Sequence, residues 1–370
     1  MGKKILVIPD SFKGSMTSEE VADIITLSAS SAGFNVTTVP IADGGEGSID
    51  CILRILGGKK ESLKVLGPSG KKITAFYGIT ANGKAVIEIA ESTGITKQSS
   101  LHPMSANTFG FGELILDALN KGCRDFLLCL GGSASTDMGL GMAAALGVKF
   151  FDKFGKSFVP TGESMNYIEK IDLSGMDKRV RESSFLIMSD VESPLYGEKG
   201  AAYVFSPQKG ASPSEVKILD DNLRHASKLV KEATGCDYES VKGAGAAGGS
   251  GYGCVAFLNA KISSGIDTML DLCGFEEALK DCELIVTGEG KLDEQSLMGK
   301  VLSGIKRRAG AKKLVSFCGI STLPKDLERE SNLTVIEIGK NVSIEESIKN
   351  GKKLLKKASE EFFNELKERG

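Results

Sequence analysis

The sequence predicts an α/β protein: a doubly wound, mainly parallel sheet domain formed from both chain ends, with a mixed α/β domain inserted between them. Three observations predict it. A unit of apolar strand, glycine-rich polar loop and amphipathic helix recurs as KILVIPDSFKGSMTSEEVADII, NVTTVPIADGGEGSIDCILRIL, DFLLCLGGSASTDMGLGMAAAL and ELIVTGEGKLDEQSLMGKVLSGI, the rhythm of parallel strands joined by helices. The stretch Gly67 to Thr93 breaks that rhythm, because KITAFYGIT and KAVIEIAEST alternate around Ala81-Asn82-Gly83, an Asn-Gly hairpin signal. Near the far end KKLVSFCGIS and LTVIEIG restore it, and a charged helix closes the chain over 344–369.

A chain of 370 residues exceeds what one core usually supports, so two domains are expected. Residues 1–66 and 270–370 are assigned to a discontinuous Rossmann-like domain and 67–269 to the insert, with the active site in the cleft between them. The insert also carries the loop-rich stretch 152–208 and a glycine run over 243–253.

Composition narrows the chemistry. The net charge of -2, with no basic block, gives no footprint for nucleic acid. No apolar run has membrane-spanning length, and MGKKILVIPD reads as the first strand of a cytoplasmic protein. The eight cysteines form no CxxC pair and lie mostly in apolar segments, as free thiols in a reducing compartment do. Of the two histidines, His102 precedes Pro103 in a loop and His225 lies in a polar helix. Catalysis is therefore left to carboxylates, lysines, hydroxyls and backbone amides.

Two glycine motifs mislead. GITANGKA, Gly78 to Ala85, matches a P-loop as far as Lys84, but Ala85 replaces the magnesium-binding hydroxyl and the loop joins two β-patterned runs, so it reads as a hairpin turn. GAGAAG, Gly243 to Gly248, fits the dinucleotide fingerprint, yet CDYESVK before it is too polar for a buried parallel strand. Gly243, Gly245 and Gly248 are either a close backbone approach to an anion or a packing-driven turn.

The loop PIADGGEG sets Asp43 and Glu46 among glycines. Amides exposed by glycine suit phosphate, and a magnesium ion held by the carboxylates supplies the positive charge between acid and phosphate. An Asp could equally accept the proton of an attacking alcohol, and acids complementing a helix dipole are the structural alternative. The theme repeats at strand ends. TGEGKLDEQS carries Gly288, Glu289, Lys291 and Asp293; MSDVESPL carries Asp190; PDSFKGS carries Asp10, Ser11 and Lys13. Lys13, and Lys209 in SPQKGA, could neutralise phosphate or a substrate carboxylate. LGGSASTDMGLGM offers Gly131, Gly132 and the hydroxyls of Ser133, Ser135 and Thr136 for anion capture, with helix capping as the alternative.

Taken together, PDSFKGS, PIADGGEG, GGSASTDMGLGM, SDVESPL, SPQKGA, GAGAAGG and TGEGKLDEQSLMGK occur in the order and approximate spacing of the glycerate kinase type-1 family, which the chain resembles from the first strand to at least Lys340. The resemblance implies ATP-dependent phosphorylation of D-glycerate with magnesium, 2-phosphoglycerate being favoured over 3-phosphoglycerate as product. Asp10, Ser11, Lys13, Asp43, Glu46, Asp137, Asp190, Gln208, Lys209, Glu289 and Asp293 match the family pattern at their own positions. Thr136 stands where Asn is common, Ser193 where Asn often precedes the proline, Lys291 where Arg is frequent and Leu302 where Pro is usual. The expected roles are Asp190 or Asp43 as base, with Lys13 beside them in catalysis. Asp10, Ser11, Lys13, Gln208 and Lys209 are expected on the substrate. The nucleotide phosphates fall to Gly131, Gly132, Ser133, Gly243, Gly245, Gly248, Gly288 and Lys291, and the metal to Glu289, Asp293 and Glu46. A kinase for another small hydroxy acid or polyol fits the same loops. A non-catalytic nucleotide- or sugar-acid-binding regulator fits them less well, since anion binding alone gains nothing from so many carboxylates.

Overall fold

The computed structural model describes residues 4–39, 41–42, 44–98, 100–297, 301–330, 332–340 and 342–369. Its chain divides into two compact units, Met1–Ala42 with Ile266–Gly370, and Asp43–Gly265.

The first unit is built on five parallel strands in the order Leu333–Glu337, Lys313–Ser321, Leu284–Leu292, Lys4–Val7, Asn35–Thr38. Side chains alternate across the first strand, so Leu6 enters one core with Ile285, Ile305 and Phe275, while Ile5 and Val7 enter the other with Ile25, Val286 and Phe363. Helices cover both faces, the condition a parallel sheet needs. The helix Ser18–Ser31 starts on a reciprocal capping box between Thr17 and Glu20. The charged C-terminal segment is two helices, Ile344–Lys349 and Gly351–Glu368. Asn350 adopts φ -105 and ψ 14 between them, and Gly351 lies against the Ser15 side chain with no room for a Cβ.

The second unit holds a six-stranded sheet ordered Lys261–Ser263, Ser184–Met188, Asp125–Cys129, Ala85–Glu88, Lys72–Thr80, Gly58–Leu66. Its first four strands are parallel and its last two antiparallel. The expected Asn-Gly hairpin is present, with Gly83 at φ 82 and the Gly83 amide donating to the Thr80 carbonyl. The stretch read as loop-rich, 152–208, contributes the parallel strand Ser184–Met188 and, with Lys149–Phe151, a small antiparallel sheet. Where the sequence placed the first boundary at 66/67, the contacts place it at 42/43. Gly58–Leu66 pairs with Lys72–Thr80 along its whole length, and the helix Ser48–Leu56 packs on the strands Lys72–Thr80 and Ala85–Glu88, so both belong to the insert.

Candidate active site

In the first unit the chemistry gathers where neighbouring strands Lys4–Val7 and Leu284–Leu292 end. The Asp10 amide donates to the Gly288 carbonyl at 2.7 Å and the Thr287 hydroxyl to the Ile8 carbonyl at 2.7 Å, which ties the DSFKGS loop to the opposite strand. The loop is folded back on itself, Phe12 and Met16 pairing across it. A Cβ at Gly288 would stand 3.2 Å from the buried Phe12 ring, and one at Gly290 3.3 Å from the Lys13 nitrogen. Gly288 therefore serves the seating of this loop. The sequence runs away from these two strands in opposite directions across the sheet, Lys4–Val7 leading to Asn35–Thr38 and Leu284–Leu292 to Lys313–Ser321. Such a switch point leaves a crevice at the strands' carboxyl ends. A cavity of about 560 Å³ occupies it, lined by Asp10, Ser11, Lys13, Glu289 and Lys291 among others. The structure thus brings five of the expected site residues together. Asp293 ion-pairs with Lys291 at 3.0 Å. Ser296, which the sequence reading did not single out, is buried and donates to Glu289 Oε2 at 2.6 Å. Its signal was the hydroxyl within the same acidic loop.

In the second unit three loops meet at the strand ends. The Gly131 amide donates to the Gly44 carbonyl at 2.9 Å. A Cβ at Gly131 would lie 2.6 Å from the Gly45 Cα, and one at Gly44 2.5 Å from the Met188 carbonyl oxygen. Gly44 and Gly131 leave no room for a Cβ because these backbones touch. Asp43 lies outside the described residues. Glu46 is exposed and accepts from the Thr96 hydroxyl at 3.1 Å. Beneath the loop Glu88, missed by sequence reading, is buried and accepts from the amides of Ile49 at 2.7 Å and Gly47 at 3.3 Å. Its carboxylate fills the N-terminus of the helix Ser48–Leu56, and burial pushes its pKa up to about 7. Asp190, exposed after Ser184–Met188, accepts from the Gly265 amide at 2.8 Å.

Gln208 and Lys209 are turned apart. Gln208 is exposed, whereas Lys209 is buried with its Nζ on the Ser135 carbonyl at 2.5 Å. Desolvation pushes the lysine down to about 7. The hydroxyls of GGSAST also face inward: Ser133 meets Ser135 at 3.2 Å and Thr136 meets Ser206 at 3.0 Å. Asp137 is fully buried, its Oδ2 accepting from the Thr108 amide and hydroxyl, each at 2.7 Å, and from the Gly141 amide at 3.2 Å. Burial raises its pKa. The glycine run packs on backbone: a Cβ would stand 2.3 Å from the Pro194 oxygen at Gly245, 3.0 Å from the Val191 oxygen at Gly243 and 2.1 Å from the Ser135 oxygen at Gly248. The helix Ala246–Leu258 passes through left-handed residues at Ala247, Gly248 and Gly249.

The model of the Glycerate kinase family matches residues 5–367. The chain belongs to the glycerate kinase family. It is 40% identical over 312 residues to the Glycerate 2-kinase of Escherichia coli K12, covering 82% of this chain and 81% of that one. It is 38% identical over 315 residues to the Glycerate kinase of Halalkalibacterium halodurans, covering 82% of each. A crystal structure from Salmonella typhimurium LT2, provisionally named glycerate kinase 2, superposes with a TM-score of 0.85 at 30% identity, covering 100% of this chain and 99% of that one. The activity is that of a glycerate kinase, a phosphotransferase that takes ATP and glycerate. Among the described residues no helix is long and apolar enough to cross a membrane.

Proposed function

We propose that this glycerate kinase phosphorylates the C2 hydroxyl of D-glycerate, giving 2-phosphoglycerate and ADP. The observation that supports the position is the 40% identity to a relative named Glycerate 2-kinase. The alcohol oxygen attacks the γ-phosphorus, that O–P bond forms as the bond to the bridging oxygen of ADP breaks, and the alcohol proton passes to a carboxylate. Asp190 is the residue assigned to that proton, because it stands exposed at a strand's carboxyl end with its Oδ1 already oriented by the Gly265 amide.

Lys13 and Lys291, at the cavity in the first unit, offset phosphate charge. No group of three or more metal-ligating side chains occurs among the described residues. Magnesium is usually held by one or two carboxylates together with substrate phosphates and waters. Glu289 and Asp293 would hold it, and when bound the ion neutralises charge on the transferring phosphoryl group.

ADP release measured with D-glycerate, L-glycerate or no acceptor, followed by phosphorus NMR of the product, tests the reading. Expected is D-glycerate-dependent turnover and a C2 phosphate; a C3 phosphate overturns the position. Asp190→Asn should lower kcat at least 100-fold with the KM for ATP within threefold. Unchanged kcat removes Asp190 as base.

A further inference from the structure

We infer that the cavity of the first unit is the ATP site, with the adenine base seated on Ile320, Ile344 and Ile348 and the phosphates reaching toward Lys13, Lys291 and Glu289. This rests on the kinase reading and deepens it. The cavity runs along the carboxyl edge of the parallel sheet. Ile344 and Ile348 follow the edge strand Leu333–Glu337, and Ile320 lies on the next strand, Lys313–Ser321. Glu289 and Lys291 lie on Leu284–Leu292 and Lys13 follows Lys4–Val7, at the switch point. Apolar and charged side chains thus line one cavity, with Ile320 opposite Lys291 in the strand register and Glu337 and Lys340 preceding Ile344 in the chain, and a nucleoside triphosphate joins the same two characters in one ligand.

Two further observations point to a small amphipathic ligand here. Ile320, Ile344 and Ile348 are 38%, 67% and 45% exposed, and three large aliphatic side chains gathered at one cavity without cover mark a binding surface. The volume of about 560 Å³ lies in the roughly 300–1,000 Å³ range of sites for drug-sized ligands, far beyond what glycerate fills. The Ser15 hydroxyl donates to the Ile348 carbonyl at 2.7 Å. That bond fastens the short helix Ile344–Lys349 to the DSFKGS loop, so both are held at one cavity.

The test is calorimetric titration of the full chain with ADP and, separately, with tripolyphosphate, which carries the charge but has no base. Ile344→Glu and Ile348→Glu alter side chains already in solvent, and Leu27→Glu, exposed on the helix Ser18–Ser31 away from the cavity, is the control. Expected is at least a tenfold loss of ADP affinity in both cavity variants, none in the control, and tripolyphosphate affinity and glycerate KM unchanged within twofold. ADP affinity equal to that of the wild type, or an equal loss for tripolyphosphate, overturns the site. The two readings fail separately. Lost ADP binding in the variants with no D-glycerate-dependent turnover in the wild type keeps the site and discards the acceptor. Turnover with ADP affinity intact in the variants does the reverse.

Discussion

Glu88 and Ile49 are joined by a hydrogen bond of 2.7 Å in which a buried carboxylate accepts the backbone amide at the start of a helix. That bond answers why PIADGGEG can hold acids and glycines together. The amides that would attract phosphate at this helix N-terminus are already met by protein, while the glycines at 44 and 131 let two loops touch.

The Glu88 carboxyl titrates near 7 in the folded chain because burial disfavours its charge. The folded state then holds a proton that the unfolded state has released. Stability from this group is full below the unfolded value of about 4.5, declines as pH rises, and is lost above about 7. The unfolding free energy from urea denaturation should therefore fall between pH 5 and pH 8, by up to about 3 kcal/mol from this group. Glu88→Gln, which cannot ionise, should flatten that fall. Parallel slopes for the two proteins would refute the assignment.

Lys209 has the opposite sign. Its folded pKa lies near 7 against an ordinary 10.5, so the folded chain binds fewer protons than the unfolded one between those values. Stability rises with pH over that window. In Lys209→Met the rise should shrink, while the Ser135 carbonyl loses its donor. Denaturation at pH 7 and pH 9.5 measures both effects, and a variant with the wild-type slope would show that Lys209 is charged throughout.

Asp137 predicts a contrast between two substitutions. Asp137→Asn keeps an acceptor for Thr108 and Gly141 and removes a charge that burial disfavours. Its cost should be about 1 kcal/mol. Asp137→Ala leaves the Thr108 and Gly141 amides without an acceptor in a dry site, a loss of roughly 3–5 kcal/mol when several buried donors go unpaired. Thermal melts separate these, and equal losses would mean that a neutral acceptor does not satisfy the Thr108 and Gly141 donors.

The strand, loop and helix units were legible because each is local: period-two apolar runs, capping residues and turn glycines lie within a few neighbours. The Asn-Gly turn at 82–83 was read correctly for the same reason. What the sequence hid depends on distant partners. Glu88 sits in a strand and reads as an ordinary polar position; only the fold sets it under Gly47 and Ile49. Lys209 reads as a ligand-facing lysine in SPQKGA, yet it is buried, and Gly248 approaches so closely that a Cβ there would stand 2.9 Å from its Nζ, so that missing side chain makes the space it occupies. GKKESLKVL is a charged edge strand, protected against further pairing by its lysines, so its membership of the insert has little apolar signal to announce it.

Glycine substitutions distinguish packing from backbone strain. Gly131→Ala places a Cβ 2.6 Å from the Gly45 Cα. Because both atoms belong to backbone, the loops must separate, at about 1–3 kcal/mol and with reduced kcat. Gly14→Ala meets no atom within 4 Å, though its φ is +81, so it should cost only about 1 kcal/mol from the left-handed conformation. Similar losses at both positions, measured by urea denaturation, would mean that backbone conformation, rather than contact, dominates at Gly131.

Ser296 provides the sharpest test of the proposed metal role. Its hydroxyl donates to Glu289 Oε2 at 2.6 Å and receives the Asp293 amide at 3.3 Å, so it orients one carboxylate and anchors the loop bearing the other. Outer partners of this kind typically change metal affinity 10- to 100-fold when removed. Ser296→Ala should raise the magnesium concentration giving half-maximal rate about tenfold. With magnesium saturating, the KM for glycerate should stay within twofold, and Ser296→Thr should recover part of the loss. A purely structural serine would instead lower the melting temperature and leave the magnesium dependence where it was. That outcome would move the metal away from Glu289, because a ligand whose orientation is relaxed cannot keep its affinity unless it was never a ligand.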